Sequence, residues 1–432
     1  MRYRTALWLY VLAALAPMYA AAETIAIVGG NVYTVATHGL VEGATVLVRD
    51  GKVAAVGSDV EIPPDATRID AHGKVVTPGL FDPLSYIGIV EISLVEETFD
   101  ASPSGVRYNA AFDVADAINP RSTLIPINRI EGVTRVLVAP QPPQALQPGQ
   151  TASPIVGLGA VMHLGGGDDY LVARDVALFA VLDEAGAALA GGSRAGAMLS
   201  LEEALQDAED YRDHRAAFEQ RARRDYSLGR LDLDALQPVL AAKTPLVIHA
   251  DRASDIEAAL RVAARHGLRI VISGGTEAWM VAEQLAKAQV PVILDPLQDL
   301  PERFEQLGAT LENAARLNAA GVTIAFSIGD SHNARNLKQS AGNAVAYGLP
   351  WPAALAAITL NPARIFGLDS RLGTLEPGKD ADVVVWSGDP LEVTTFADQV
   401  VINGHIVPMV SRQTLLRDRY LDLKRPSPPA YH

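Results

Sequence analysis

The chain has 432 residues, no cysteine and a formal net charge of -14. Without thiols there are no disulfides, thiolate metal sites or cysteine nucleophiles, so any metal ligand must be His, Asp, Glu or a modified Lys. The summed negative field repels phosphate backbones and anionic lipid surfaces, which excludes a general nucleic-acid or membrane-surface partner and leaves small molecules and proteins.

Residues 1–22 open with Arg2 and Arg4, pass through an apolar stretch too short for a comfortable transmembrane span, and reach Ala20, Ala21 and Ala22. They read as a secretory signal peptide. The expected mature protein is secreted, periplasmic in a Gram-negative source, and free of the membrane after cleavage.

Residues 23–77 give short apolar runs broken by turn signals: TIAIVGGNVYTV, ATVLVRDGKVAAVG and ATRIDAHGKVV. Asp50-Gly51 is a hairpin signal, because both residues tolerate the positive φ such turns demand. Residues 372–410 repeat the style in DADVVVWSGD and ADQVVINGHIV, with Asn403-Gly404 as the turn. Neither end has strands enough to cover its own apolar face, so the two are expected to combine into one β-sandwich domain.

Residues 78–371 alternate β-rich runs (VTRVLVAP, PLVIHADR, LRIVISGG, VPVILDP, VTIAFSIGD) with helical patterns such as SDIEAALRVAARHG. Strand, helix, strand at this period means parallel βα units, and the length suits a closed (β/α)8 TIM-like barrel better than an open sheet. Residues 97–129 are punctuated by Pro and Asn and are expected to form an insertion over the barrel mouth. Residues 411–432 are the C-terminal tail, whose end, KRPSPPAYH, is expected to be disordered or draped on the surface.

In such a barrel the chemistry sits where strands end and βα loops converge. That rule selects His249, ending PLVIHADR, and Asp330, ending VTIAFSIGD. The bland alternatives are a hydrogen-bonded structural His and an Asp that caps the next helix.

The segments DGKVAAVG, IDAHGKVVTPGLFD, INRIEGVTRVLVAP, VIHADRASDIEAALRVA, GGTEAW and ITLNPARIFGLDSRLGTLEPGKDADVVVWSGDPLE resemble the amidohydrolase superfamily, specifically its imidazolonepropionase-like metal-dependent hydrolases. The resemblance covers nearly the whole mature chain. It implies a split β-sandwich beside a distorted barrel, a divalent metal (zinc) that activates water, and hydrolysis of non-peptide C–N bonds in small amides. It also implies ligands from a His-x-His pair on strand one, a His on strand five, a His on strand six and an Asp on strand eight.

This chain departs from that pattern. Leu84, Ser85 and Tyr86 stand where His-x-His is expected, and Gly274 stands where the strand-six His is expected. Only His249 and Asp330 fall on metal positions, and a catalytic zinc needs three protein ligands. Alternation along a strand places Asp82, Leu84 and Tyr86 on one face. His332 is a further candidate ligand, with a loop role as its alternative; Tyr86 could ligate or polarise a carbonyl, or simply pack. Glu91 lies near strand one, and Glu277 begins a helix, whose dipole explains it. Histidines at 84, 86 and 274 are expected to restore the family's set.

Two functions stay open. One is hydrolysis with Asp330 as general base, His249 as acid or weak ligand, and Tyr86 at the scissile carbonyl. The other is a catalytically inactive paralogue that binds a small-molecule ligand, as a homo-oligomer or paired with an active relative.

Overall fold

The computed structural model describes residues 24–37, 39–102, 108–143 and 151–421. The signal-peptide segment 1–22 and the terminal KRPSPPAYH lie outside the described residues. The first five strands are β1 (Ile25–Tyr33), β2 (Leu40–Arg49), β3 (Lys52–Gly57), β4 (Thr67–Asp70) and β5 (Val75–Pro78). Then come β6 (Leu80–Ser85), β7 (Val133–Val138), β8 (Ile155–His163), β9 (Leu171–Val181), β10 (Leu246–Ala250), β11 (Ile270–Gly274), β12 (Val292–Leu294) and β13 (Ile324–Phe326). Last are β14 (Val383–Trp386), β15 (Ala397–Ile402) and β16 (His405–Ile406).

The two ends of the chain share a sheet, in the order β16-β15-β14-β5-β1-β2-β3 with β4 on β1. The joint is the antiparallel pair of β5 and β14, which sets Pro78 opposite Val383 and Val75 opposite Trp386. Asp50-Gly51 and Asn403-Gly404 both make their hairpins, with φ of 53° and 73° in the first and 50° and 75° in the second. Trp386 is fully buried and its indole N–H donates to Thr77 Oγ1 at 2.8 Å, satisfying the ring's single polar group as burial requires.

Strands β6 to β13 form the second sheet in sequential order, a nearly closed TIM-like barrel. Its edges meet where Ser327 Oγ donates to Asp82 Oδ1 (2.6 Å) and to Leu84 O (2.7 Å). One strand differs from the expected all-parallel ring: β8 runs antiparallel to both β7 and β9. A crossover helix needs a dozen or more residues, and only the short LGGGDDY turn separates β8 from β9, so these strands pair as a hairpin. Phe81, Leu137, Phe179, Val247, Val271, Ile293 and Ala325, one from nearly every strand, form a single cluster inside the barrel. The strand five to seven interior is thus apolar up to the last turn of the mouth.

Strand one does not alternate simply. Asp82 pairs with Val136 and Ser85 with Val138, three residues against two, so a bulge falls at Pro83-Leu84. The bulge interrupts the simple alternation that would set Asp82, Leu84 and Tyr86 in one row, while Leu84 and Tyr86 both pack against the interior cluster. Asp82 is fully buried, while Leu84 and Tyr86 are half-buried against the interior cluster.

Among the described residues, the segment 97–129 holds two short helical turns and a helix at Leu124–Arg129. They run from the strand-eight loop, where Asn128 Nδ2 donates to Ser331 O (3.0 Å), to the outer flank of β8 and β9, where Arg174 pairs with Asp113 and Asp116. Arg412–Leu421 form a helix at the start of the C-terminal segment. Among the described residues no helix is long and apolar enough to cross a membrane.

Candidate functional site

The C-terminal ends of the barrel strands divide the mouth into two sides. On the side of strands four to six, His249 follows interior Val247 by two residues and Ser273 follows interior Val271 by two, so both point inward. Parallel register sets them directly side by side, and His249 Nδ1 lies 3.3 Å from Ser273 Oγ. Across the imidazole, Nε2 lies 3.7 Å from Asp183 Oδ2 and 4.0 Å from Asp251 Oδ2.

Each carboxylate is fixed by its surroundings. Asp183 lies two residues beyond the end of β9, the fourth barrel strand, and caps the helix Glu184–Leu189, its Oδ1 accepting from Gly186 N at 3.0 Å. Its Oδ2 also has the Arg303 guanidinium at 3.4 Å. Asp251 accepts from Thr276 Oγ1 (2.7 Å), Thr276 N (3.2 Å) and Gln306 Nε2 (2.9 Å). Burial opposes the charge of Asp251, but His249 and these donors outweigh it and hold its carboxyl below the usual range.

The side of strands one and eight is different. Asp330 accepts from His332 N (2.7 Å), Asn333 N (3.1 Å) and Asn333 Nδ2 (3.1 Å). It thus caps the turn Asn333–Asn336. Burial works against its charge, yet the Asn333 and His332 donors prevail and lower its pKa, which leaves a weak base. His332 turns away to the C-terminal helix, its Nε2 3.1 Å from Gln413 Nε2, while Arg335 donates to Gln413 Oε1 at 2.8 Å. That amide is therefore the donor to His332.

Asp82 was not singled out as a site residue, and it is the most perturbed acid in this region. Burial raises its pKa to about 7 against the lowering by Ser327 and Leu84 N–H, with Asp330 adding to the rise. Its Oδ2 is buried without a hydrogen-bond partner. Burial pushes the Tyr86 phenol up to about 12, Gln141 working the other way, so Tyr86 remains a neutral phenol at any physiological pH. Glu91 accepts from Thr123 Oγ1, and Glu277 accepts from Ala253 N and Gly308 N, both structural roles.

Zinc does not fit these residues. Leu84 offers no donor atom, Asp330 already accepts three hydrogen bonds from its own turn, and His332 faces the C-terminal helix. Gly274 has φ of 82°, and a Cβ there would sit 2.7 Å from Asp251 Oδ1 and 2.8 Å from His249 Cε1. The expected restoration of the ligand set by a histidine at 274 is corrected accordingly: that space already belongs to His249 and Asp251. Among the described residues no three His, Asp or Glu side chains converge as metal ligands would.

The amidohydrolase family profile matches residues 197–407. Amidohydrolase tasK of Hapsidospora irregularis is 25% identical over 404 residues, 83% of this chain and 39% of its own length. An imidazolonepropionase of Maricaulis maris is 32% identical over 173 residues, 39% of this chain and 42% of its own. The matched region thus spans about two-fifths of the length of these relatives. Among solved structures, an amidohydrolase from Thermotoga maritima superposes with a TM-score of 0.78 at 29% identity, covering 89% of this chain and 99% of that one. Motifs, barrel, shared terminal sheet and relatives agree: the chain belongs to the amidohydrolase superfamily and is imidazolonepropionase-like.

Proposed function

We propose that this chain is a metal-depleted amidohydrolase-fold protein, exported to the periplasm or beyond, that takes a small-molecule ligand at the barrel mouth without metal-dependent C–N hydrolysis. The observation that carries this reading is the occupation of the family's ligand positions: Leu84 and Tyr86 on strand one, and at 274 a glycine whose Cβ position is filled by His249 and Asp251. The rival role for Asp330 as general base is disfavoured by its three donors and lowered pKa.

Elemental analysis of the purified protein tests the reading, together with thermal shifts on a panel of small cyclic amides. The expected results are well under one equivalent of metal and ligand-induced shifts that a chelator leaves unchanged. Near one tightly held metal per chain, or chelator-sensitive amide hydrolysis, would overturn it.

A further inference from the structure

We infer that Ser273, His249 and Asp183 form a nucleophilic relay at the mouth, taking an acyl group onto Ser273 from a small ester or activated amide. This goes beyond the metal-free reading, which requires no covalent step. The carrying observation is a row of three polar groups at the barrel end: Ser273 Oγ lies 3.3 Å from His249 Nδ1, and His249 Nε2 lies 3.7 Å from Asp183 Oδ2, with Asp251 Oδ2 at 4.0 Å. Two buried carboxylates beside Nε2 favour the tautomer that carries its proton there, which leaves Nδ1 as the basic nitrogen facing the hydroxyl.

His249 and Ser273 are register partners on the parallel strands β10 and β11, and Asp183 is held just beyond the end of β9 by its cap bond to Gly186 N. The long His–Asp separations suit a resting site that tightens when a ligand arrives. Ser273 is 3% exposed and His249 is the more open member, so the incoming carbonyl must belong to a short, flat acyl group.

Chemically, Ser273 Oγ bonds to the carbonyl carbon as its proton passes to His249 Nδ1. The bond to the leaving oxygen or nitrogen then breaks, and that atom takes the proton from Nδ1. Water attacks the resulting acyl ester with Nδ1 as base, and the proton returns to Ser273 Oγ.

The test uses the full chain and p-nitrophenyl acetate, which carries a short, flat acetyl group, with acid quenching and peptide mapping by mass spectrometry. One adduct at Ser273 is expected, absent in Ser273→Ala and formed about 10²-fold more slowly in His249→Gln. Asp183→Asn keeps the cap acceptor for Gly186 N, so it should fold, and it should slow labelling about 10-fold. The relay is overturned by no adduct at Ser273 in the unmodified protein, or by folded His249→Gln or Asp183→Asn protein that labels as fast as the parent. Metal content is measured on the same sample, so failure of the relay and failure of the metal-free reading are told apart.

Discussion

The two sides of the barrel mouth carry similar numbers of polar side chains and use them in opposite ways. On strands one and eight the polar groups serve the backbone: Asp330 caps a turn, Ser327 ties the barrel seam, and His332 holds the C-terminal helix. On strands four to six the polar groups face one another across an open imidazole. A metal centre needs both sides to contribute ligands to one point. On the proposed metal-free reading, Leu84 at a ligand position leaves the strand-eight carboxylate no cation to face, and local N–H donors satisfy it. Across the mouth, His249 stands between Ser273 and the carboxylates of Asp183 and Asp251, the arrangement on which the proposed relay rests.

The largest expected effect breaks this comparison from the strand-six side. Gly274→His forces a left-handed backbone on a branched-off side chain and drives its Cβ into His249 and Asp251. A loss of more than about 4 kcal/mol, or failure to fold, is expected in urea denaturation. A variant as stable as the parent that gains zinc affinity would show that strand six can return to metal binding.

Next in size is the pH dependence set by Asp82. Its folded pKa of about 7 lies above the unfolded 3.8, so folding keeps a proton that the unfolded chain releases between these values. Stability from this group is therefore full below about pH 4, falls as pH rises towards 7, and is flat above, a change of about 4 kcal/mol. Asp82→Asn should flatten that slope. An unchanged slope in the variant would assign it to other groups.

Asp330→Ala removes the turn cap and should cost about 1–2 kcal/mol while leaving metal content as it was. A drop in bound metal would instead restore Asp330 to a ligand role. Smallest of all, His332→Ala loses one exposed contact to Gln413 and should move stability by no more than about 0.5 kcal/mol; a larger loss would mean that the C-terminal helix depends on this residue.

The fold was legible where local chemistry decides it. Asp50-Gly51 and Asn403-Gly404 specify their turns, and the apolar runs ending at His249 and Gly274 specify parallel strands. The antiparallel β8 was not legible, since its direction follows from the short connection to β9 and not from residue pattern. The bulge at Pro83-Leu84 escaped for the same reason: alternation is a property of regular pairing, and pairing is not written in one strand. Of the site, His249 was found by its place at a strand end. Asp183 obeys the same rule after LFAVL and could have been found with it. Ser273 could not, because a serine inside an apolar run gains meaning only when register sets it beside His249.

The hairpin turns at 51 and 404 have a consequence for how the chain can vary. A Cβ added at Gly404 would lie 2.5 Å from Gly51 Cα, and one at Gly51 would lie 3.0 Å from Asn403 O. Gly51 O accepts from Ala381 N, and Gly404 N donates to Ala381 O, so the strand leading into β14 laces the two turns together. Residues more than 350 positions apart are thus held at backbone contact by the absence of side chains. Gain of a methyl at either glycine would act as a wedge between the first and last hairpins, and compensation would have to come from the opposite end of the sequence. The two turns should therefore drift as a pair, so that a change at one limits what the other can become.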